Sequence, residues 1–185
     1  MAAAIRVPVT SPGDHVAHFY HDDGELAGQA GSYLLEAFRD DGVAIAIATP
    51  ERLRALEAWL AGAGVDVAAA RARGSWLALD AAATLRRFTS GGTPDAAGFD
   101  REVGGLIRQA ARDGRAVRAF GEMVALLWDA GLVAAAVELE AMWNDLGRRN
   151  PFALFCGYRA ASVTGQDVAG ALAEVCRLHG AAAPL

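Results

Sequence analysis

The chain has 185 residues, 54% of them hydrophobic and 21% charged, with a net charge of −5. That length suits one domain able to bury about 70% of its unfolded surface, and the hydrophobic share excludes a disordered chain. The negative charge removes the attraction to phosphate backbones on which direct nucleic-acid binding relies, and all 17 basic residues are Arg, so there is no lysine for a Schiff base, a P-loop or a general base.

Val16–Tyr20 is short, apolar and aromatic, and the turn cluster His21-Asp22-Asp23-Gly24 follows it, which predicts a strand, a loop and a helix start. From Glu25 to Asp40 the apolar residues Leu26, Ala30, Tyr33, Leu34, Ala37 and Phe38 recur at helical spacing, and Asp41-Gly42 ends the run. Val43–Ala48 is unbroken and apolar, as an interior strand should be. Thr49-Pro50-Glu51 then supplies an N-cap, a proline at the first helical position and an acid in the first turn of a helix reaching about Gly62. Ser75–Leu79 predicts a third strand ending at Asp80, followed by a short helix over Ala81–Phe88. Ser90–Ala97 is rich in Gly, Pro and Asp and predicts a loop, a candidate lid. Phe99, Val103, Leu106, Ile107 and Ala110 trace one helix face, and Ala116–Phe120 is a fourth strand running into Gly121-Glu122-Met123. Helices over Met123–Asp129 and Leu132–Leu146, a fifth strand over Phe152–Tyr158 and a closing helix over Gln166–Leu178 complete the chain.

Strands separated by helices imply right-handed βαβ crossovers. The expected fold is α/β, a three-layer α/β/α sandwich around a largely parallel five-stranded sheet. One domain over residues 15–180 is expected, with 1–14 as an N-terminal extension and 181–185 as a tail. No apolar run approaches the roughly 20 residues that span a bilayer, and Met1–Thr10 lacks the features of a signal peptide. A cytoplasmic location with no membrane partner is expected.

Several chemistries drop out for want of their motifs. There is no GxxxxGK followed by Ser or Thr, no GxGxxG after the first strand and no GxSxG. His15, His18 and His21 with Asp22 and Asp23 suggest metal ligands, but an extended strand puts His18 on the face opposite the other two, with His15 and His21 about 20 Å apart. No metal and no cofactor is expected. Cys156 and Cys176 are too few for a disulfide framework and read as buried free thiols. Cys156 lies inside an apolar strand, which favours a core thiol over a nucleophile paired with His179.

In open parallel sheets ligands bind outside the carboxyl ends of the strands. The residues there are Tyr20 and His21 after the first strand, Thr49 after the second, and Asp80 after the third. Glu122 and Met123 follow the fourth, and Tyr158 and Arg159 the fifth. Each has a plain structural role available, such as an N-cap for Thr49 or Asp80. Their convergence on one rim makes them the candidate ligand-binding set. On the helix Leu132–Leu146, Leu139, Met142, Trp143 and Leu146 form the core stripe, with Glu140 and Asn144 spaced i, i+4 beside it as a hydrogen-bonded pair or a brace behind a pocket.

Taken in order, His15-Val16-Ala17-His18-Phe19-Tyr20, Gly121-Glu122-Met123, Glu140 with Asn144, Cys156-Gly157-Tyr158 and His179 resemble the MEDS domain, the sensory domain of methanogen and methylotroph regulators and DcmR-type repressors. The resemblance covers His15 to about His179. It implies a Rossmann-like or RecA-like ligand-sensing domain of the kind attached to DNA-binding, kinase, anti-sigma or STAS modules. It singles out Tyr20, Glu122 and Tyr158 as ligand contacts and leaves His15, Glu140 and Asn144 as structural or supporting residues. Arg159 departs from the acidic residue that many members carry. The expected function is a stand-alone sensory domain, not an enzyme, that binds a small molecule and signals to a separate regulatory protein of kinase, anti-sigma or STAS type. A protein-interaction module with a vestigial pocket, partnering an anti-sigma factor or histidine kinase, is the alternative. Acid-base catalysis by Glu122, Asp80 and the histidines is a third.

Overall fold

The unbroken run Val43–Ala48 forms strand β2 with all its residues buried, as a strand covered on both faces must be. This computed structural model describes residues 11–163 and 169–182. Around β2 lie β1 (His15–Tyr20), β3 (Trp76–Asp80), β6 (Val117–Gly121) and β7 (Ala153–Arg159), in the order β3-β2-β6-β7-β1, with every pair parallel. A two-residue strand, β8 (Ala181–Ala182), extends the sheet beside Val16 and Ala17, where composition alone predicts only a tail. The expected three-layer α/β/α sandwich with a parallel sheet is what the chain forms.

The connections run both ways along the sheet. From β1 to β2 and β2 to β3 the chain moves toward the β3 edge through α1 (Asp23–Arg39), α2 (Pro50–Gly62) and α3 (Val67–Ala72). It then returns toward β8 through α4 (Ala81–Arg86), α5 (Ala96–Phe99), α6 (Gly105–Ala110), α7 (Met123–Asp129), α8 (Val133–Arg149) and α9 (Ala169–Leu178). A constant crossover hand requires the two sets of helices to cover opposite faces. They do: Leu26, Leu34, Leu56 and Leu60 pack on one face of the sheet, and Ile107, Leu127, Leu139 and Val175 on the other. The direction reverses between the adjacent strands β2 and β6, so a crevice opens beyond their carboxyl ends.

Several local features depart from the sequence expectations. Helix α3, capped by Asp66, buries only Ala70 and shows no apolar stripe from which to predict it. Ser90–Ala97 is no open loop: β4 (Thr89–Ser90) and β5 (Thr93–Pro94) pair as a tight hairpin, its turn made by Gly91 and Gly92 at φ 60 and 83. The helix expected from Phe99 has a π-helical turn, Asp100–Gly104, between α5 and α6. Cys176 is exposed on α9, which corrects its expected burial: only Val175 of that helix is buried, and the next residue points away. The first three residues of the closing helix as predicted, 166–168, lie outside the described residues. No described helix is long and apolar enough to cross a membrane.

Candidate functional site

At the β2–β6 crevice the first polar residue after each strand meets the other. Thr49, the N-cap of α2, donates its backbone N–H to Glu122 Oε2 at 3.0 Å. Arg52, one turn into α2, donates Nε to Glu122 Oε1 at 3.0 Å. Its other nitrogens reach back to α1, Nη1 to the Asp23 carbonyl and Nη2 to Asp23 Oδ1, both at 2.8 Å. Arg159, from the end of β7, donates to the same Asp23 Oδ1 at 3.0 Å. Both guanidiniums also lie over the buried ring of Tyr20, that of Arg52 at 5.5 Å and that of Arg159 at 5.2 Å from its centre.

The arrangement sets the charge states. Burial works against the charge on Arg52, but its bonds to Asp23 and Glu122 outweigh burial and hold the guanidinium protonated. Hydrogen bonding from Arg52, and then the nearby charge of Arg159, keeps the exposed Asp23 carboxyl below its ordinary range. Burial pushes the Tyr20 hydroxyl up. Beside this network opens a hollow of about 380 Å³, lined by Tyr20, Thr49, Arg52, Glu122 and Arg159, by Asp23, Gly24 and Ala27 of α1, and by Ala125, Leu126 and Asp129 of α7. A larger hollow of about 500 Å³ lies near the amino ends of β2 and β3, but its polar lining includes the exposed Asp41, Asp66 and Arg73 rather than a buried ion pair.

A second polar group lies on the opposite face, under α8 and α9. Glu140 of α8 and Cys156 of β7 are both 0% exposed, and His15 and His179 are 6% and 7% exposed. His15 Nε2 lies 3.1 Å from Glu140 Oε2 and 3.3 Å from Cys156 Sγ, and His179 Nε2 lies 3.5 Å from Glu140 Oε1. The Tyr158 hydroxyl also donates to Glu140. Burial, with Glu140 adding to it, pushes the Cys156 thiol and the Tyr158 hydroxyl well above their ordinary ranges. Burial likewise works against ionisation of Glu140, but the two neighbouring imidazoles, together with the bond from Tyr158, hold its carboxyl low.

The family model for the methanogen/methylotroph, DcmR sensory domain, MEDS, matches residues 14–180. The chain belongs to the MEDS family. No curated protein matches it. The MEDS match spans both polar groups, and the family is a sensory one.

Within this MEDS domain the strand-end residues separate. Tyr20, Thr49, Glu122 and Arg159 line one hollow. His21 is exposed, with its backbone N–H bonded to Glu25. Asp80 caps α4 through Ala83, and Met123 is buried in the core. Tyr158 is buried and turned to the other face, toward Glu140. Glu140 and Asn144, expected to pair with each other or to brace a pocket, each contact His15 instead. The hairpin at Ser90–Ala97 lines none of the strand-end hollow. Arg52 and Asp23 are missed from sequence because they sit inside the first turns of helices rather than directly after strands. The signal was present in Thr49-Pro50-Glu51-Arg52, where a capped helix start brings its fourth residue back toward the strand end.

Proposed function

We propose that this MEDS domain senses a small polar organic molecule held in the hollow beyond β2 and β6 and passes the change to a regulatory partner of kinase, anti-sigma or STAS type. The buried Arg52–Glu122 pair at the β2–β6 crevice carries this reading, because it places a fixed set of hydrogen-bonding groups beside an open space. The lining holds four carboxylates, Asp23, Glu51, Glu122 and Asp129, against the guanidiniums of Arg52 and Arg159. That balance disfavours a phosphate and suits a neutral or cationic ligand. Asp23 belongs to α1 and Arg52 to α2, so a ligand that competes for either group shifts the two helices relative to each other. A ligand moves such a balance only through different affinity for the two arrangements. Among the described residues Leu132 is the exposed large hydrophobic side chain, which does not favour the alternative of a module docking through an apolar patch.

A thermal-shift screen of small polar organic compounds tests the proposal. A true ligand at 100 times its dissociation constant stabilises the fold by about 2.7 kcal/mol. Tyr20→Ala and Thr49→Val should each remove most of that gain, and Arg73→Ala, in the other hollow, should keep it. A compound that stabilises wild type and both rim variants equally places its site elsewhere and sinks the assignment.

A further inference from the structure

The buried group formed by His15, Glu140, Cys156 and His179 has more acceptors than donors. Asn144 donates Nδ2 to the Leu178 carbonyl at 2.7 Å, which turns its Oδ1 toward His15 Nδ1 at 3.0 Å. His15 must therefore carry its proton on Nδ1. The His179 Nδ1 faces the Val175 carbonyl at 2.6 Å, and a carbonyl only accepts, so that nitrogen is protonated too. Both neutral imidazoles then present the Nε2 lone pair to the space shared with the Glu140 carboxylate and the Cys156 sulfur. His179 Nε2 and Glu140 Oε2 are buried and make no hydrogen bond. A buried acceptor without a donor is costly. An imidazolium at His15 would pair with Glu140, but would leave His179 Nε2 facing a carboxylate oxygen.

We propose that His15, Glu140, Cys156 and His179 form a four-coordinate site for a divalent transition-metal cation of the zinc class. The donor set is two imidazole nitrogens, one carboxylate oxygen and one thiolate, the ligand types such a cation takes. One ligand atom from each residue lies within 4.8 Å of the others. A tetrahedron with metal–ligand bonds of about 2.0–2.3 Å has edges of roughly 3.3–3.8 Å. The His15–Glu140 and His15–Cys156 separations of 3.1 and 3.3 Å are already near that length. Charge closes as well: a divalent cation, a carboxylate, a thiolate and two neutral imidazoles sum to zero, as a buried site requires. Binding releases the thiol proton to solvent.

Outer contacts hold three of the four ligands in place, Asn144 on His15, the Val175 carbonyl on His179 and Tyr158 on Glu140. A hollow of about 250 Å³ lined by His15 and Asn144 lies beside the group. The ligands come from β1, α8 and β7 and from the residue directly after α9, so the cation ties the closing helix to the sheet. The site lies on the other face from the proposed ligand hollow, and neither depends on the other.

The test strips the full chain with a chelator and titrates it with Co²⁺. One Co²⁺ per chain should bind, with tetrahedral ligand-field absorption and a thiolate charge-transfer band in the near ultraviolet, and Zn²⁺ should displace it. Cys156→Ser should abolish the charge-transfer band, and Cys176→Ser, at the exposed thiol, should keep it. Should Cys156→Ser fail to fold, Asn144→Ala gives the reading: loss of its contact with His15 should weaken Co²⁺ binding about 10- to 100-fold. A folded wild-type chain that takes up no Co²⁺ overturns the site and leaves a buried imidazole–carboxylate cluster. Uptake that is equally tight in Cys156→Ser or Asn144→Ala marks adventitious binding and overturns it too.

Discussion

Arg52 joins α1, α2 and the end of β6 through one buried guanidinium, bonded to Asp23 and Glu122. Glu122 is buried as well, so its carboxylate depends on Arg52 and the Thr49 N–H for compensation. Removing one member of a buried pair costs roughly 3–5 kcal/mol, because the other charge stays behind unpaired, whereas neutralising both costs far less. Arg52→Met should therefore lose stability in that range in urea denaturation. Adding Glu122→Gln, whose amide oxygen still accepts from Thr49, should restore part of it. If the two losses simply add, the pair is not coupled as its geometry requires. Arg159 shares Asp23 but is half-exposed, so its loss should matter much less.

Elements seat on one another through two close approaches by α1. A Cβ on Gly31 would lie 2.5 Å from the Trp59 ring of α2, and one on Gly157 of β7 would lie 3.0 Å from Leu26 of α1. Gly28, in the same helix, has open space where its Cβ would stand. Gly28→Ala should gain about 0.5–1 kcal/mol from helix propensity alone. Gly31→Ala gains the same propensity but must displace Trp59, and overpacking typically costs about 1–3 kcal/mol. The two variants should shift the thermal midpoint in opposite directions; a rise in both would mean that α2 yields freely. This scale also marks how far the fold is legible in sequence. Strands buried on both faces and helices with apolar stripes, such as α1 and α8, show themselves through periodicity. Helix α3, the π turn and β8 do not, because their residues carry too little apolar pattern and are placed by packing. At the site, strand ends are legible once strands are known, yet the face on which a residue lies is not. Tyr158 and Arg159 are adjacent in β7 and serve opposite faces, and only the strand order decides which helix each meets. The His15, Glu140, Cys156 and His179 group is hidden for the same reason: its members are spread along the chain and converge only through the parallel pairing of β1 with β7.

Across the whole molecule, acid should destabilise the fold in two stages. His18 in β1 is buried, its ring nitrogens make no hydrogen bond, and Phe155 lies 5.7 Å away, ring to ring. Burial lowers its pKa below 6.5, outweighing the nearby Glu25 carboxylate, which raises it, and His21 adds to the lowering. The native state therefore keeps His18 neutral while the unfolded chain takes up a proton, so stability is full above pH ~6.5 and falls as pH drops from there toward the folded pKa. His179, lowered chiefly by burial, adds to the same stage. Asp23 acts at lower pH, with its pKa shifted in the same direction. Its carboxyl is depressed by Arg52, so its contribution is present above the unfolded value of 3.8 and is lost as pH falls through the lower, folded one. Urea denaturation across a pH series at constant ionic strength should show both stages. His18→Phe should flatten the dependence in the window that opens below pH ~6.5 without removing it, since His179 remains, and Asp23→Asn should flatten only the part below pH ~4. An unchanged slope in His18→Phe over the upper window would mean that the ring is protonated in the folded chain, and that Glu25, 3.5 Å from its Nε2, prevails over burial.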